Sequence, residues 1–175
     1  MVVATLTAEF RKVKGLADAA IAQLDDVQLH VRVDAEANSV AMLMQHLAGN
    51  MQSRWTDFLT SDGEKPWRRR DAEFEPPTVD RTGLGTTWEA GWATLFAALD
   101  GLSDADLDRR VAIRGESTTV LAAIARQLAH YAGHVHQIVL LGKHLRGADW
   151  RVLSIARGQS QAYADGLKAA TTPPA

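Results

Sequence analysis

Two histidines lie four residues apart, at positions 130 and 134, in the run ARQLAHYAGHVHQIVLLGKHL. Residues at this spacing lie on one face of an α-helix about one turn apart, so the two imidazoles can bind one divalent metal ion. A third histidine, His46, lies in a separate helical segment, LMQHLAGNMQSRW. If the two helices face each other, His46, His130 and His134 would form a three-ligand site that keeps a coordination position open.

Composition narrows the chemistry that such a site could support. The chain contains no cysteine, which excludes disulfides and thiolate zinc sites and leaves histidine and carboxylate side chains as metal ligands. Any thiol chemistry would therefore need a thiol from outside the chain. Lysine and arginine total 19 and aspartate and glutamate total 21, a formal net charge of −2 that argues against a nucleic-acid partner.

The chain also lacks the signals that direct a protein into or across a membrane. The amino-terminal sequence MVVATLTAEFRKVKG has no basic start followed by an apolar core, as a signal peptide would have. No uninterrupted apolar stretch approaches the roughly eighteen residues of a transmembrane helix. These patterns predict a cytoplasmic protein without a membrane partner.

Apolar residues recur at helical spacing in four segments, which predict helices over about Thr7–Leu24, Asn38–Gly63, Thr82–Leu99 and Ser117–Arg146. Asn38 is expected to cap the second helix, and Gly147 to end the fourth. The charged connection from Glu64 to Val79 is long enough to form a crossover between the second and third helices. The predicted fold class is therefore all-α, a four-helix bundle with this long crossover.

Two further segments are less regular. Residues Val111–Thr119 alternate briefly between apolar and polar and could form a short strand pair or an irregular loop. The segment VLSIARGQSQAYADGL is expected to add a final helical turn or two. The chain of 175 residues, 46% of them hydrophobic, suits one domain. We expect residues 1–165 to form it and residues 166–175 to form a flexible tail.

Helical-wheel positions test whether the histidines can converge. On the second predicted helix, His46 and Asn50 lie on a polar stripe beside the apolar face. On the fourth, His130, His134 and Gln137 flank the apolar face in the same manner. Both stripes are expected at the border of a buried seam, where they can meet as a cleft with a dry floor and polar walls.

The remaining histidines do not share this position. His136 points to another side of the helix, about 200° around from the nearer ligand. His144 lies about 21 Å along the axis from the first histidine of the pair, and His30 falls between the first two helices. Asp57 shares the stripe of the first ligand but lies nearly three turns away, too far to act as a base at the same ion.

Several polar residues near the predicted ligands have two interpretations each. Asn50 and Gln137 lie within one turn of a ligand and could orient it or a substrate, although ordinary exposed amides fit the pattern equally. Arg68, Arg69 and Arg70 could contact an anionic ligand, because adjacent guanidinium groups suit carboxylates and phosphates. A solvated charged loop is the alternative. The sequence assigns no catalytic residue.

The histidine pattern resembles that of the DinB-like (DinB/YfiT-like) superfamily of metalloenzymes, which has one histidine in the second helix and an H-x-x-x-H pair in the last. Two long stretches resemble an uncharacterised branch of this superfamily more narrowly: HLAGNMQSRWTDFLTSDGEKPWRRRDAEFE and ARQLAHYAGHVHQIVLLGKHLRGADWRVLSIARGQSQAY. The resemblance covers nearly the whole chain and matches His46, His130 and His134 to the ligand positions. Two residues depart from the pattern: His136, where glycine is usual, and Ala156, where proline is commoner.

The resemblance implies a four-helix bundle, often a homodimer, with zinc or nickel as the metal. Relatives in the superfamily include transferases and isomerases that use a low-molecular-weight bacterial thiol. A thiol S-transferase acting on a small-molecule substrate is therefore the first hypothesis, and a metal-dependent hydrolase is the alternative enzyme. Two non-enzymatic alternatives stay open: a metal-binding or stress-associated interaction module, and a helical dimerisation domain without metal.

Overall fold

The computed structural model describes the backbone of residues 1–171 and the side chains of residues 1–167. Within these residues the chain is predominantly helical, as predicted, with one small antiparallel sheet. The α-helices are α1 (Val2–Ile21), α2 (Asp26–His30), α3 (Val40–Trp55), α4 (Arg81–Asp100), α5 (Val120–Arg146) and α6 (Ser160–Thr171). The strands are β1 (Arg110–Ile113) and β2 (Glu116–Thr119), and short 3₁₀ turns cover Asp71–Phe74, Asp104–Asp106 and Gly147–Asp149.

The four long helices, α1, α3, α4 and α5, share one apolar core. α3 packs most extensively on α4, and α1 on α5, with further contacts between α3 and α5 and between α1 and α4. Phe10 of α1 packs edge-on against Trp55 of α3, and Trp92 of α4 contacts Tyr131 of α5, with ring centroids 6.0 Å apart in both pairs. The helices therefore bury their apolar stripes against one another, as the spacing of their apolar residues predicts.

α3 and α4 approach each other most closely at Gly91. A Cβ atom at this position would lie 2.9 Å from the Cα atom of Ala48, closer than packed carbon atoms tolerate. The absence of a side chain thus lets the two backbones touch. Gly85, six positions earlier in the same helix, has no atom within 4 Å of an added Cβ and has no such packing role.

α1 begins at Val2, earlier than the predicted start at Thr7, and ends three residues before the predicted end. A distant side chain caps its first turn. The Asp104 carboxylate accepts hydrogen bonds from the backbone N–H groups of Val2 and Val3, both at 2.9 Å. A cap supplied by a residue 101 positions away leaves no local signal in the sequence.

α3 is shorter than predicted at both ends. Ser39, not Asn38, is the N-cap residue, and its hydroxyl oxygen accepts a hydrogen bond at 3.2 Å from the backbone N–H three residues later. The helix ends at Trp55 rather than near Gly63, because Asp57 adopts a positive φ of 49° and turns follow. Asp57 therefore does not lie on the polar stripe on which the wheel placed it.

Residues Val111–Thr119 form a strand pair, one of the two predicted alternatives. β1 and β2 pair antiparallel through a tight turn at Arg114 and Gly115, which have positive φ angles of 57° and 75°. The Asp62 side chain accepts hydrogen bonds from both turn N–H groups, at 2.8 and 2.7 Å, and attaches the hairpin to the α3–α4 connection. The predicted start of the fourth helix at Ser117 lies in β2, so α5 begins three residues later.

The boundaries of α4 and the end of α5 agree with the prediction, whereas α6 is longer than predicted. α4 matches the third predicted helix within one residue at each end, and α5 ends where predicted, at a Gly147 with a positive φ of 54°. α6 has 12 residues, more than the final turn or two that the sequence predicted. It crosses residue 165, and the last four residues of the predicted tail lie outside the described part of the chain.

None of the helices that the structure describes combines the length and hydrophobicity that crossing a bilayer requires.

The connection between α3 and α4, residues 56–80, folds back over one side of α3. The Gln45 side chain holds it there by donating hydrogen bonds to the carbonyl oxygens of Ala72 and Glu75, at 2.9 and 3.2 Å. The 3₁₀ turn Asp71–Phe74 consequently packs on the part of α3 that carries His46. This cover explains why His46 is buried rather than at the border of the seam, where the wheel placed it.

Candidate metal centre

The structure brings the three predicted ligands together. One side-chain nitrogen from each of His46, His130 and His134 lies within 4.8 Å of those of the other two. The Nε2 atoms of His46 and His130 are 3.3 Å apart, and all three rings meet edge to face. A histidine from α3 thus meets a one-turn pair from α5.

The separations suit a divalent metal ion. Zinc–imidazole bonds are about 2.0–2.1 Å long, so two nitrogens on a tetrahedral ion lie about 3.3 Å apart. The Nε2 atoms of His46 and His130 already have this separation. No two of the three ligand nitrogens are more than 4.8 Å apart. Three imidazole donors without a thiolate suit zinc, nickel or a similar divalent ion.

A buried carboxylate supports His46 from the side away from the other two ligands. The Nδ1 atom of His46 lies 2.9 Å from Oε2 of Glu73, and the ring packs on Phe74 with centroids 4.4 Å apart. Since a carboxylate only accepts hydrogen bonds, Nδ1 carries the proton, and Nε2 presents its lone pair to the centre of the cluster. Arg68 in turn donates to Glu73 through Nε and Nη2, at 2.8 and 2.7 Å.

Glu73 remains ionised although it is buried. Burial alone would raise its pKa, but hydrogen bonds from Arg68 and His46 outweigh that effect and hold the pKa below its ordinary value. The Arg68 side chain is 2% exposed, so water does not compete for this ion pair. The hydrogen bonds that connect Arg68 to Glu73 and Glu73 to His46 therefore fix the orientation and the tautomer of one ligand.

The two ligands on α5 differ in their hydrogen bonding. Nδ1 of His134 lies 2.9 Å from Oε1 of Gln137, an acceptor, which places the proton on Nδ1 and leaves Nε2 to bind an ion. Nδ1 of His130 is buried and has no hydrogen-bond partner among the described residues. The other ring nitrogen of His130, Nε2, faces Nε2 of His46 and is the one available to an ion in the cluster.

Both ligands on α5 are neutral at pH 7. Burial, together with smaller contributions from the neighbouring His134 and His46, lowers the pKa of His130 to about 3. Burial also lowers the pKa of His134, against a smaller opposite effect of its bond to Gln137. Neutral imidazole is the form that binds metal, so protons do not compete with an ion here at neutral pH.

Asn50 lies beside the histidines in a buried hydrogen-bond network. Its Oδ1 atom accepts hydrogen bonds from Nε2 of Gln127 and from the Tyr131 hydroxyl, both at 2.9 Å. Trp55 donates to the same hydroxyl oxygen at 3.0 Å. The network joins α3 to α5 about one turn from the ligands and so sets the spacing of the two helices that carry them.

The three consecutive arginines have different surroundings. Arg68 is the buried partner of Glu73, and Arg69 is exposed and lines a separate surface hollow. The guanidinium group of Arg70 lies 5.4 Å from the centre of the Phe74 ring. Arg68 and Arg70 border the cavity next to the histidines, whereas Arg69 does not.

A cavity of about 190 Å³ adjoins the cluster. His46 and His130 form one part of its wall, and the amides of Asn50 and Gln127 another. The remaining wall consists of arginine side chains: Arg54, Arg68, Arg70, Arg114 and Arg126. A larger hollow of about 540 Å³ lies between the start of α1 and the end of α4, but none of the three histidines borders it.

The other histidines do not belong to this group. His136 is exposed, and its Nδ1 donates to the carbonyl oxygen of Ala132 at 2.7 Å, in agreement with its predicted direction. His144 is exposed near the end of α5. His30 is exposed in α2, a short helix that the sequence analysis treated as a linker.

Three residues of the site were not predicted from the sequence: Glu73, Gln127 and Tyr131. Gln127 precedes His130 by three residues, so the one-turn rule that selected Gln137 would also have found it. Tyr131 sits on the buried face of α5, where its aromatic character hides its polar role. Glu73 comes from an irregular connection without periodicity, and no spacing in the sequence relates it to His46.

Comparison with known proteins identifies a family for this chain. The family described as "Protein of unknown function (DUF1572)" matches residues 2–159. No curated protein and no solved structure matches the chain. The matched region contains the three histidines, Glu73 and every residue that lines the adjoining cavity. The chain therefore belongs to this family of proteins of unknown function.

Proposed function

We propose that this protein is a divalent-metal-dependent enzyme whose ion is held by His46, His130 and His134. The observation that carries the proposal is the convergence of three imidazole nitrogens from α3 and α5 within 4.8 Å. Further support comes from the ionised carboxylate of Glu73 behind His46 and from the neutral state of the α5 pair at pH 7. A bound ion would supply Lewis acidity and lower the pKa of a water or thiol in its open position.

The protein's own residues prepare the site for this role. Glu73 and Gln137 hold the Nδ1 protons of two ligands and so keep the opposite nitrogens available. Asn50 and Gln127 present amides to the cavity and can orient a substrate there. No general base is assigned, because Glu73 is engaged by Arg68 and His46.

For the reaction class we favour transfer of a low-molecular-weight thiol to an electrophilic carbon of a small molecule. Two observations support this choice: the absence of cysteine and the resemblance to the DinB-like superfamily. On the same resemblance, we interpret the packing of α1, α3, α4 and α5 as a four-helix bundle. The same resemblance supports zinc or nickel as the metal, a homodimer, and one domain over residues 1–165. Metal-dependent hydrolysis is the second candidate reaction, since the same ion could activate water.

A non-enzymatic metal-binding module is the competing function. A structural zinc site normally has four protein ligands, whereas the group in the described residues contains three. This difference favours an open, catalytic site. The two functions differ in the effect of metal removal. If the ion is structural, its removal by EDTA should unfold the protein. If it is catalytic, its removal should leave the helicity measured by circular dichroism unchanged, and added zinc should bind again.

The test of metal binding uses two matched double substitutions on α5. His130→Ala with His134→Ala should abolish stoichiometric metal in elemental analysis of untagged protein while leaving helicity largely intact. His136→Ala with His144→Ala removes two exposed histidines from the same helix and should leave the metal content unchanged. Equal metal content in the two variants would contradict the ligand assignment.

The reaction is tested on protein of verified metal content. Zinc- and nickel-loaded protein should transfer thiol from at least one of several bacterial thiols to an electrophilic acceptor, with activity lost in the ligand double variant. Hydrolysis of activated esters by the loaded protein, without thiol transfer, would select the hydrolase instead. If the loaded protein shows neither activity and unfolds when EDTA removes the metal, the structural module would be favoured.

A further inference from the structure

We propose that the cavity beside the histidines binds the oxyanion group, carboxylate or phosphate, of a small-molecule substrate. This inference rests on the proposed function, because it names the substrate class of that same site. It goes beyond the consecutive arginines noted in the sequence, since most of the residues that carry it are far apart in the chain.

Positive charge dominates that wall. Of its lining residues, five are arginines and none is acidic: Arg54, Arg68, Arg70, Arg114 and Arg126. Two carboxylates form ion pairs with these arginines. Glu64 pairs with three of them, and Glu73 pairs with Arg68. Among the wall residues and their ion-pair partners, five guanidinium groups therefore face two carboxylates, and outside this set Asp62 also interacts electrostatically with Arg54. A region with such an excess around a partly enclosed space attracts anions.

Two of the arginines are the best candidates to contact the anion. Arg70 and Arg126 have no carboxylate within ion-pair distance among the described side chains. Arg70 lies over Phe74, whose ring packs on His46. Arg126 precedes His130 by four residues on α5 and therefore lies on the same helix face one turn earlier. Arg70 is thus connected to His46 through the Phe74 ring, and Arg126 to His130 through one turn of α5.

The size of the cavity points to a small molecule. At roughly 30 Å³ per water molecule, a volume of about 190 Å³ corresponds to about six waters. This space suits a small organic acid, or the terminal carboxylate or phosphate of a larger substrate. The chain as a whole carries a net charge of −2, so the protein is not basic overall, as a general polyanion binder would be.

The experiment uses a double variant that carries both Arg70→Gln and Arg126→Gln. Its control is Arg157→Gln, which replaces an exposed arginine in the segment after α5. Cobalt-loaded protein is titrated with 3-mercaptopropionate and with uncharged 2-mercaptoethanol, following the thiolate-to-cobalt absorption band. Wild type should bind the carboxylate-bearing thiol about tenfold more tightly or better, because one charge-assisted hydrogen bond contributes about that much. The double variant should lose this preference, and Arg157→Gln should keep it.

A second arm uses metal-free protein and inorganic phosphate, with binding measured by calorimetry at low salt. Phosphate affinity should fall about tenfold in the double variant and stay unchanged in Arg157→Gln. Comparing phosphate with acetate in this arm shows which oxyanion the arginines favour. If the double variant does not fold by circular dichroism, the single Arg126→Gln replaces it, because this side chain is exposed.

The two arms separate the failure of this inference from the failure of the proposed function. If cobalt binds but both arms give the same affinities for wild type and the double variant, the arginines do not select an anion and the inference is wrong. An equal loss in Arg157→Gln would overturn it as well, since binding would then reflect overall charge. If cobalt does not bind at all, the metal proposal fails, while the phosphate arm still decides whether the cavity holds an anion.

Discussion

Gly49→Ala tests the support of the metal ligand His46 without changing any ligand. A Cβ atom at position 49 would lie 2.5 Å from Oε1 of Glu73, whereas ordinary contacts begin at 3.4 Å. The carboxylate must therefore move by about 0.9 Å, which breaks or weakens hydrogen bonds that now measure 2.7–2.9 Å to Arg68 and His46. Loss of such an outer partner typically lowers metal affinity about 10–100-fold, or roughly 1.4–2.7 kcal/mol.

The assay is zinc affinity at pH 7, measured by competition with a chromophoric chelator. Gly133→Ala is the matched control, because this glycine lies on α5 next to His134 and has no atom within 4 Å of an added Cβ. Both substitutions replace a helical glycine by alanine, so their effects on helix propensity should be similar. If Gly49→Ala binds zinc as tightly as Gly133→Ala, Glu73 does not position His46 and the reasoning fails.

Three further predictions concern stability. Gly91→Ala should destabilise the protein by about 1–3 kcal/mol in urea unfolding because of overpacking against α3, whereas Gly85→Ala should be neutral or slightly stabilising. Tyr131→Phe should cost about 1–3 kcal/mol by leaving buried partners unsatisfied; an unchanged midpoint would refute the network. In metal-free protein the lowered pKa values of His130 and His134 mean that unfolded chains bind protons first. Stability should therefore fall as pH drops from 6.5 toward about 3, and less steeply in His130→Asn.

The sequence was informative where the signal is periodic. The four long helices follow from the spacing of their apolar residues, and the i, i+4 spacing places His130 and His134 on one face of α5. The facing of α3 and α5 was not implied by either segment alone. It follows from tertiary packing, together with a buried network around Asn50 that joins the two helices.

The sequence was uninformative where a residue acts across the chain. The early start of α1 depends on Asp104, and the attachment of the β1–β2 hairpin to the α3–α4 connection depends on Asp62. The same limit applies to the site. Glu73 reaches His46 only because the α3–α4 connection folds back over α3, and an irregular segment has no repeat from which its path could be read.

The positions of α1 and α4 have a practical consequence for engineering. Among the residues that the structure describes, neither helix supplies a member of the histidine group or of the cavity wall, although both bury large apolar side chains. Thermostabilising substitutions can therefore be concentrated on these two helices, away from the ligands. Combining them there would raise the tolerance of the scaffold before any change is made to α3 or α5, where specificity would be altered.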